Sequence, residues 1–258
     1  MPMHDWTRVD AGTYHDFHQG WATALRTALN TGVLPDGYEA MVEQHADRGI
    51  PDLLALEVGA PGPDGANGHA TPAEAPPPGL TSVAVAPPPV RFTAAASSDP
   101  YTRLRKTVVI RRGEDRVVAR LELVSPGNKA ARNPFREFVG KVTAAIGHGL
   151  HVLVLDPFPP GPRDPNGVHA AVWAGFGDEP YSPPADKPLT FAAYDAGPAT
   201  RAYVEPVAVG DRLPRMPLFL APGWYVRVPL EESYTAALAG VPRRTRERLG
   251  VAGPPPGG

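Results

Sequence analysis

Glu122 stands near the end of an alternating run, Arg120-Leu121-Glu122-Leu123-Val124, which Pro126 and Gly127 turn into a loop. A second acid, Asp52, follows Pro51 at the head of another apolar run. If the two runs are neighbouring strands, their carboxylates converge. Two acids and a backbone carbonyl then form an oxygen-rich pocket suited to magnesium, which keeps waters and takes few protein ligands. A lysine beside them would offset charge on an attacking water or a scissile phosphate. Lys129 in the loop and Lys141 on the following helix are the candidates, and Lys141 is preferred because a helix presents it rigidly. Arg120, on the strand face of Glu122, is a third cation, and Glu43 is a further acid. The implied chemistry is magnesium-assisted phosphodiester hydrolysis, with Asp52 and Glu122 as metal ligands and Lys141 or Lys129 as the catalytic cation.

The elements that must position these residues follow from periodicity. Residues 116–124 alternate as a strand, residues 134–148 have helical spacing, and residues 150–156 form a short apolar strand, so together they read as a βαβ-like unit. The helix points Phe135, Phe138, Val139, Val142, Ala145 and Ile146 toward a core, leaving Arg132, Arg136 and Lys141 nearer the surface or the sheet end. Upstream, residues 104–112 pair with 116–124 as a hairpin through Gly113-Glu114-Asp115, and residues 38–45 and 50–58 read as two further strands. The opening helix carries Phe17, Trp21, Leu25 and Leu29 on one stripe, with Thr13 as its expected cap. His15 and His18 lie one turn apart but have no third ligand, so they read as surface or half-buried histidines.

Residues 59–100 contain 10 prolines and 5 glycines, which predicts a disordered, low-complexity insertion within one domain spanning residues 1–258. Short edge strands are expected inside it at 81–86 and 90–93. Downstream, a short helix carries Val168, Ala171 and Trp173, strands are expected at 202–209 and 224–229, and residues 214–222 read as a proline-stiffened connection. A helix at 231–239, a basic end at 243–248 and a disordered tail at 250–258 complete a C-terminal strand-helix extension.

Pro51-Asp52, the run Leu121-Glu122-Leu123-Val124-Ser125-Pro126-Gly127-Asn128-Lys129 and the strand His148-Gly149-Leu150-His151-Val152-Leu153-Val154-Leu155-Asp156-Pro157 resemble an uncharacterised bacterial family, domain of unknown function 4058. The same blocks are more distantly similar to the Uma-type restriction endonucleases of the PD-(D/E)XK superfamily. That resemblance implies an α/β, restriction-endonuclease-like fold, a mixed central sheet flanked by helices, with Asp52 and Glu122 as the metal-binding acids. The chain departs from the motif at Val124, which stands where the superfamily has its lysine. The departure keeps open a rival reading, a non-catalytic descendant that binds protein or nucleic acid. The plainer reading of the acids is a strand-start Asp and a solvated or arginine-paired Glu.

Bulk properties narrow the field. Without cysteine, disulfides and thiolate metal sites are excluded. A formal net charge of −2 argues against a uniformly basic coat, yet residues 99–148 hold eleven Lys and Arg against five Asp and Glu. This concentration, centred on residues 103–141, suits a nucleic-acid partner. The N-terminus lacks a cationic segment followed by an apolar one, and no apolar run reaches membrane-span length, so a cytoplasmic protein with no membrane partner is expected.

Overall fold

A computed structural model describes residues 2–43, 91–95, 107–113 and 116–250. Its strands are β1 (Tyr38–Glu43), β2 (Phe92–Ala95), β3 (Thr107–Arg112), β4 (Arg116–Leu123), β5 (His151–Asp156), β6 (Leu189–Asp195), β7 (Arg201–Val207), β8 (Met216–Ala221) and β9 (Trp224–Val228). The helices are α1 (Ala11–Asn30), α2 (Pro126–Lys129), α3 (Arg132–Gly147), α4 (Gly167–Trp173), α5 (Leu230–Ala239) and α6 (Arg243–Arg248). Among the described residues the central sheet has seven strands in the order β1-β3-β4-β5-β6-β7-β2. β4 and β5 pair in parallel, and every other pairing in this sheet is antiparallel. The protein is therefore mixed α/β, and the expected βαβ unit runs from β4 through α2 and α3 to β5.

Alternation along β4 divides the sheet into two packed faces. Register aligns Arg120 with Val152 and Val152 with Tyr194, and Glu122 with Val154, so these residues share one face. α3 and α4 lie on it: Lys141 of α3 reaches Glu122, and His169 of α4 pairs with the Tyr194 hydroxyl at 2.8 Å. The opposite face, with Leu121, Leu153 and Phe191, packs against the β8–β9 hairpin. There Phe219 stacks near Tyr203 and His151, at centroid distances of 5.2 and 6.0 Å.

α1 starts earlier than its periodicity suggests. Asp10, not Thr13, is the cap, and its Oδ1 accepts from the Thr13 amide at 2.9 Å. The stripe of Tyr14, Phe17, Trp21, Leu25 and Leu29 is buried as expected, and α1 packs along α5. One hydrophobic cluster runs from Met3 to Leu249.

Three differences from the sequence expectation have physical causes. Residues 216–221 are a strand, because among the described residues β8 pairs only with β9 and so tolerates prolines on its other side. β6 was not foreseen: all seven of its residues are buried, so it shows no alternation. The edge strand expected at 90–93 is shifted to 92–95, where it pairs with β7. The expected strands at 50–58 and 81–86, most of the 59–100 insertion and nearly all of the 250–258 tail lie outside the described residues. No helix among the described residues is long and apolar enough to cross a membrane.

Candidate functional site

Glu122 and Lys141 meet beneath α3. β4 carries Glu122 on the face that α3 covers, one residue before the strand ends. On α3, Lys141 is three residues after Phe138 and four before Ala145, which places it on the apolar stripe rather than the outer face. Lys141 is consequently buried at 2 % exposure, not nearer the surface as its charge suggested. Its Nζ donates to Glu122 Oε2 at 2.6 Å, with the Glu122 side chain 3 % exposed. Burial pulls the Lys141 pKa down to about 8, Glu122 opposes that by favouring the ammonium, and Arg120 adds a smaller downward push.

Val124, at the motif's lysine position, is fully buried. Its amide donates to Leu155 and its carbonyl accepts from the Tyr14 hydroxyl at 2.9 Å. The ammonium that reaches Glu122 therefore comes from the crossover helix instead of the strand.

Lys129 has a different set of partners. Its Nζ lies 2.8 Å from both Asp156 Oδ2 and Asp164 Oδ2, and it donates to the carbonyls of Phe158 at 3.2 Å and Pro159 at 3.3 Å. Four oxygens, one from the end of β5 and three from the loop after it, surround one ammonium, so Lys129 ties the 157–165 loop to the start of the crossover. Asp156 Oδ1 also accepts from the Phe158 amide at 3.1 Å, making Asp156 the cap of the turn after β5. Burial raises the Asp156 carboxyl to about 6, with Lys129 opposing the rise and Asp164 adding to it. The sequence offered little sign of Asp164 as a partner beyond its place in Gly161-Pro162-Arg163-Asp164-Pro165. Ser125 belongs to the local turn, since Asn128 Oδ1 accepts from both its amide and its hydroxyl.

Asp52 lies outside the described residues, so its expected convergence with Glu122 falls there too. Glu43 pairs with Arg111 at 2.8 Å. His18 Nε2 lies 3.1 Å from the Leu123 carbonyl, and its ring stacks on His15. Among the described residues no group of three or more His, Cys, Asp or Glu could hold a metal ion. Glu122 is nevertheless a hard oxygen donor, and magnesium needs only one or two carboxylates. Of the two acids named from the sequence, Glu122 alone is among the described residues, and its Oε2 is held by Lys141.

The basic 103–141 region is divided by the fold. Arg112, Arg116, Arg132 and Arg136 are exposed, whereas Arg120 and Lys141 are buried against Glu122's face of the sheet. Comparison with protein-family models, curated proteins and solved structures yields no match.

Proposed function

We propose that the chain is a metal-dependent phosphodiesterase acting on nucleic acid, built on a restriction-endonuclease-like fold. The observation that carries this reading is the 2.6 Å contact between Lys141 and Glu122 across the parallel β4–α3–β5 crossover. It places an acid and a lysine together although the strand itself has valine at the motif position. In this reading Glu122 and Asp52 hold magnesium, which when bound would supply Lewis acidity to the phosphate and a more acidic water. Lys141 keeps positive charge at the reacting centre, and the exposed arginines of 103–141 attract the nucleic-acid backbone.

A magnesium-dependent cleavage assay on single- and double-stranded DNA and RNA tests the reading. Wild type should cut, and Asp52→Ala, Glu122→Ala and Lys141→Met should each lower the rate by about a hundredfold or more. An inert wild type, or Asp52→Ala and Glu122→Ala variants that cut equally well, would end it.

The near-complete burial of both Glu122 and Lys141 favours a second reading. Here the pair is an internal structural bridge in a non-catalytic descendant, and binding runs through the exposed arginines. Salt-dependent nucleic-acid binding without cleavage at any magnesium concentration would support it.

A further inference from the structure

Three turns meet at the end of the sheet where β5 begins. They are the α3–β5 turn at Gly149, the 196–200 turn between β6 and β7, and the Pro222-Gly223 turn of the β8–β9 hairpin. A Cβ on Gly197 would come within 3.0 Å of Pro222, and one on Gly149 within 3.9 Å of the Ala196 carbonyl oxygen. The 196–200 turn thus has a neighbour on each side. His151 of β5 and Asp195 of β6 lie at this junction, 4 % and 3 % exposed.

Asp195 Oδ2 accepts from the Gly223 amide at 2.9 Å, which holds the hairpin turn. His151 Nδ1 accepts from the Ala196 amide at 3.1 Å, which holds the 196–200 turn. Asp195 Oδ1 is enclosed and 3.3 Å from His151 Nδ1, yet it accepts no hydrogen bond from any described residue. A ring nitrogen that accepts carries no proton, so two acceptors face each other here. A proton on Nδ1 reverses the arrangement. The imidazolium then donates to Asp195 Oδ1 in a charge-assisted bond, and the Ala196 amide loses its acceptor. One nitrogen can serve either partner, and its proton decides which.

Around the pair, β4 contributes Ala119, the register partner of His151. The hairpin contributes the Phe219 ring, 6.0 Å from the imidazole, with Tyr225 beyond it at 5.4 Å from Phe219. β7 brings Arg201, the register partner of Asp195, and Tyr203, whose pKa burial and Asp195 raise and Arg201 opposes. An arginine and a tyrosine so raised keep one charge state where imidazoles change theirs. On the α3 side, His148 has its Nδ1 2.7 Å from the Ala144 carbonyl oxygen.

We propose that His151 and Asp195 form a pH-sensitive switch that exchanges the Ala196 contact for an Asp195 contact on acidification, releasing the 196–200 turn. The device stands apart from the phosphodiesterase reading, since neither residue belongs to that site.

Ring-nitrogen and amide NMR on the full chain, between about pH 4.5 and 8.5, tests it. At the alkaline end His151 Nδ1 should be unprotonated and the Ala196 amide protected from exchange. At the acid end Nδ1 should carry a proton. The Ala196 protection factor should then be about tenfold lower, as expected for one lost hydrogen bond. Gly223, whose acceptor is Asp195 Oδ2, should keep its protection throughout. In His151→Asn the Ala196 protection should not change with pH. In Asp195→Asn the crossover should move to lower pH, because the carboxylate that favours the imidazolium is gone. An Nδ1 in one protonation state at both ends would overturn the proposal, as would Ala196 protection that ignores a change in that state. Parallel loss at Ala196 and Gly223 would also overturn it, by making the change global. The wild-type readings decide the outcome even if a variant fails to fold.

Discussion

Lys141 Nζ lies 2.6 Å from Glu122 Oε2, a contact between residues 19 apart that holds α3 to the centre of the sheet. Two buried opposite charges are costly to desolvate, and removing one leaves the other uncompensated. Lys141→Met should lower stability by about 3–5 kcal/mol, measured by urea denaturation. Glu122→Gln removes what favours the ammonium, so Lys141 should then titrate below its value of about 8. Lysine-selective NMR follows that shift. The double variant Glu122→Leu with Lys141→Met should cost less than the two single changes summed. Additive losses would mean that the two side chains are not coupled.

The carboxyl of Asp156 and the imidazole of His169 give opposite pH slopes. Asp156 is raised from 3.8 to about 6 by burial, so between those values the folded chain binds more protons than the unfolded chain. Its contribution to stability therefore falls as pH rises through this window. His169 is lowered from 6.5 to about 3 by burial, so the unfolded chain binds more protons and its contribution rises across the interval. Denaturation curves from pH 4 to 7 should show Asp156→Asn gaining on wild type as pH rises. His169→Gln should lack the rising component. Parallel curves for wild type and both variants would contradict both assignments.

Loss of the Lys129 ammonium should loosen one loop more than the whole molecule. Lys129→Met leaves Asp156 and Asp164, both nearly fully buried, facing each other without a cation. The expected cost is about 3–5 kcal/mol, partly relieved at low pH as Asp156 takes up a proton. Hydrogen exchange should speed up first at residues 157–165. Uniform acceleration across the chain would show that the lysine does not act locally.

At the N-terminus, the Tyr234 hydroxyl accepts from Trp6 Nε1 at 3.0 Å and from the His4 amide at 3.2 Å, and it lies 2.9 Å from His4 Nδ1. Tyr234→Phe keeps the ring packing on Trp21 and Phe17 but strands buried donors, at a cost of about 1–3 kcal/mol. Limited proteolysis should then cut residues 2–9 faster than in wild type. Unchanged cleavage would show that ring packing alone docks this segment.

Legibility in the sequence followed contrast between polar and apolar positions. β4, α3 and β5 were legible because Leu121 and Leu123 alternate with Arg120 and Glu122, and because Phe135, Phe138 and Val142 keep helical spacing. β6 was not, since both its faces are covered and Ala192 and Ala193 weaken its apolar signal. Prolines 214, 217 and 222 concealed β8, which needs hydrogen bonds on one side only. The burial of Lys141 was readable in principle from its place between Phe138 and Ala145, but its charge pointed outward.

By itself the sequence determined the strand-loop-helix-strand unit and the position of Glu122 near the end of its first strand. Those features depend on local period and on Pro126 and Gly127, which act over a few residues. Only the tertiary structure decided how the cations are distributed. The rotation of α3 on the sheet brings Lys141 to Glu122, and Asp156 and Asp164, both remote in sequence, claim Lys129 for the loop. Arg120 is left buried, its Nε without a partner among the described residues. Local periodicity carries no information about such choices, because each depends on which distant oxygen lies nearest once the chain has packed.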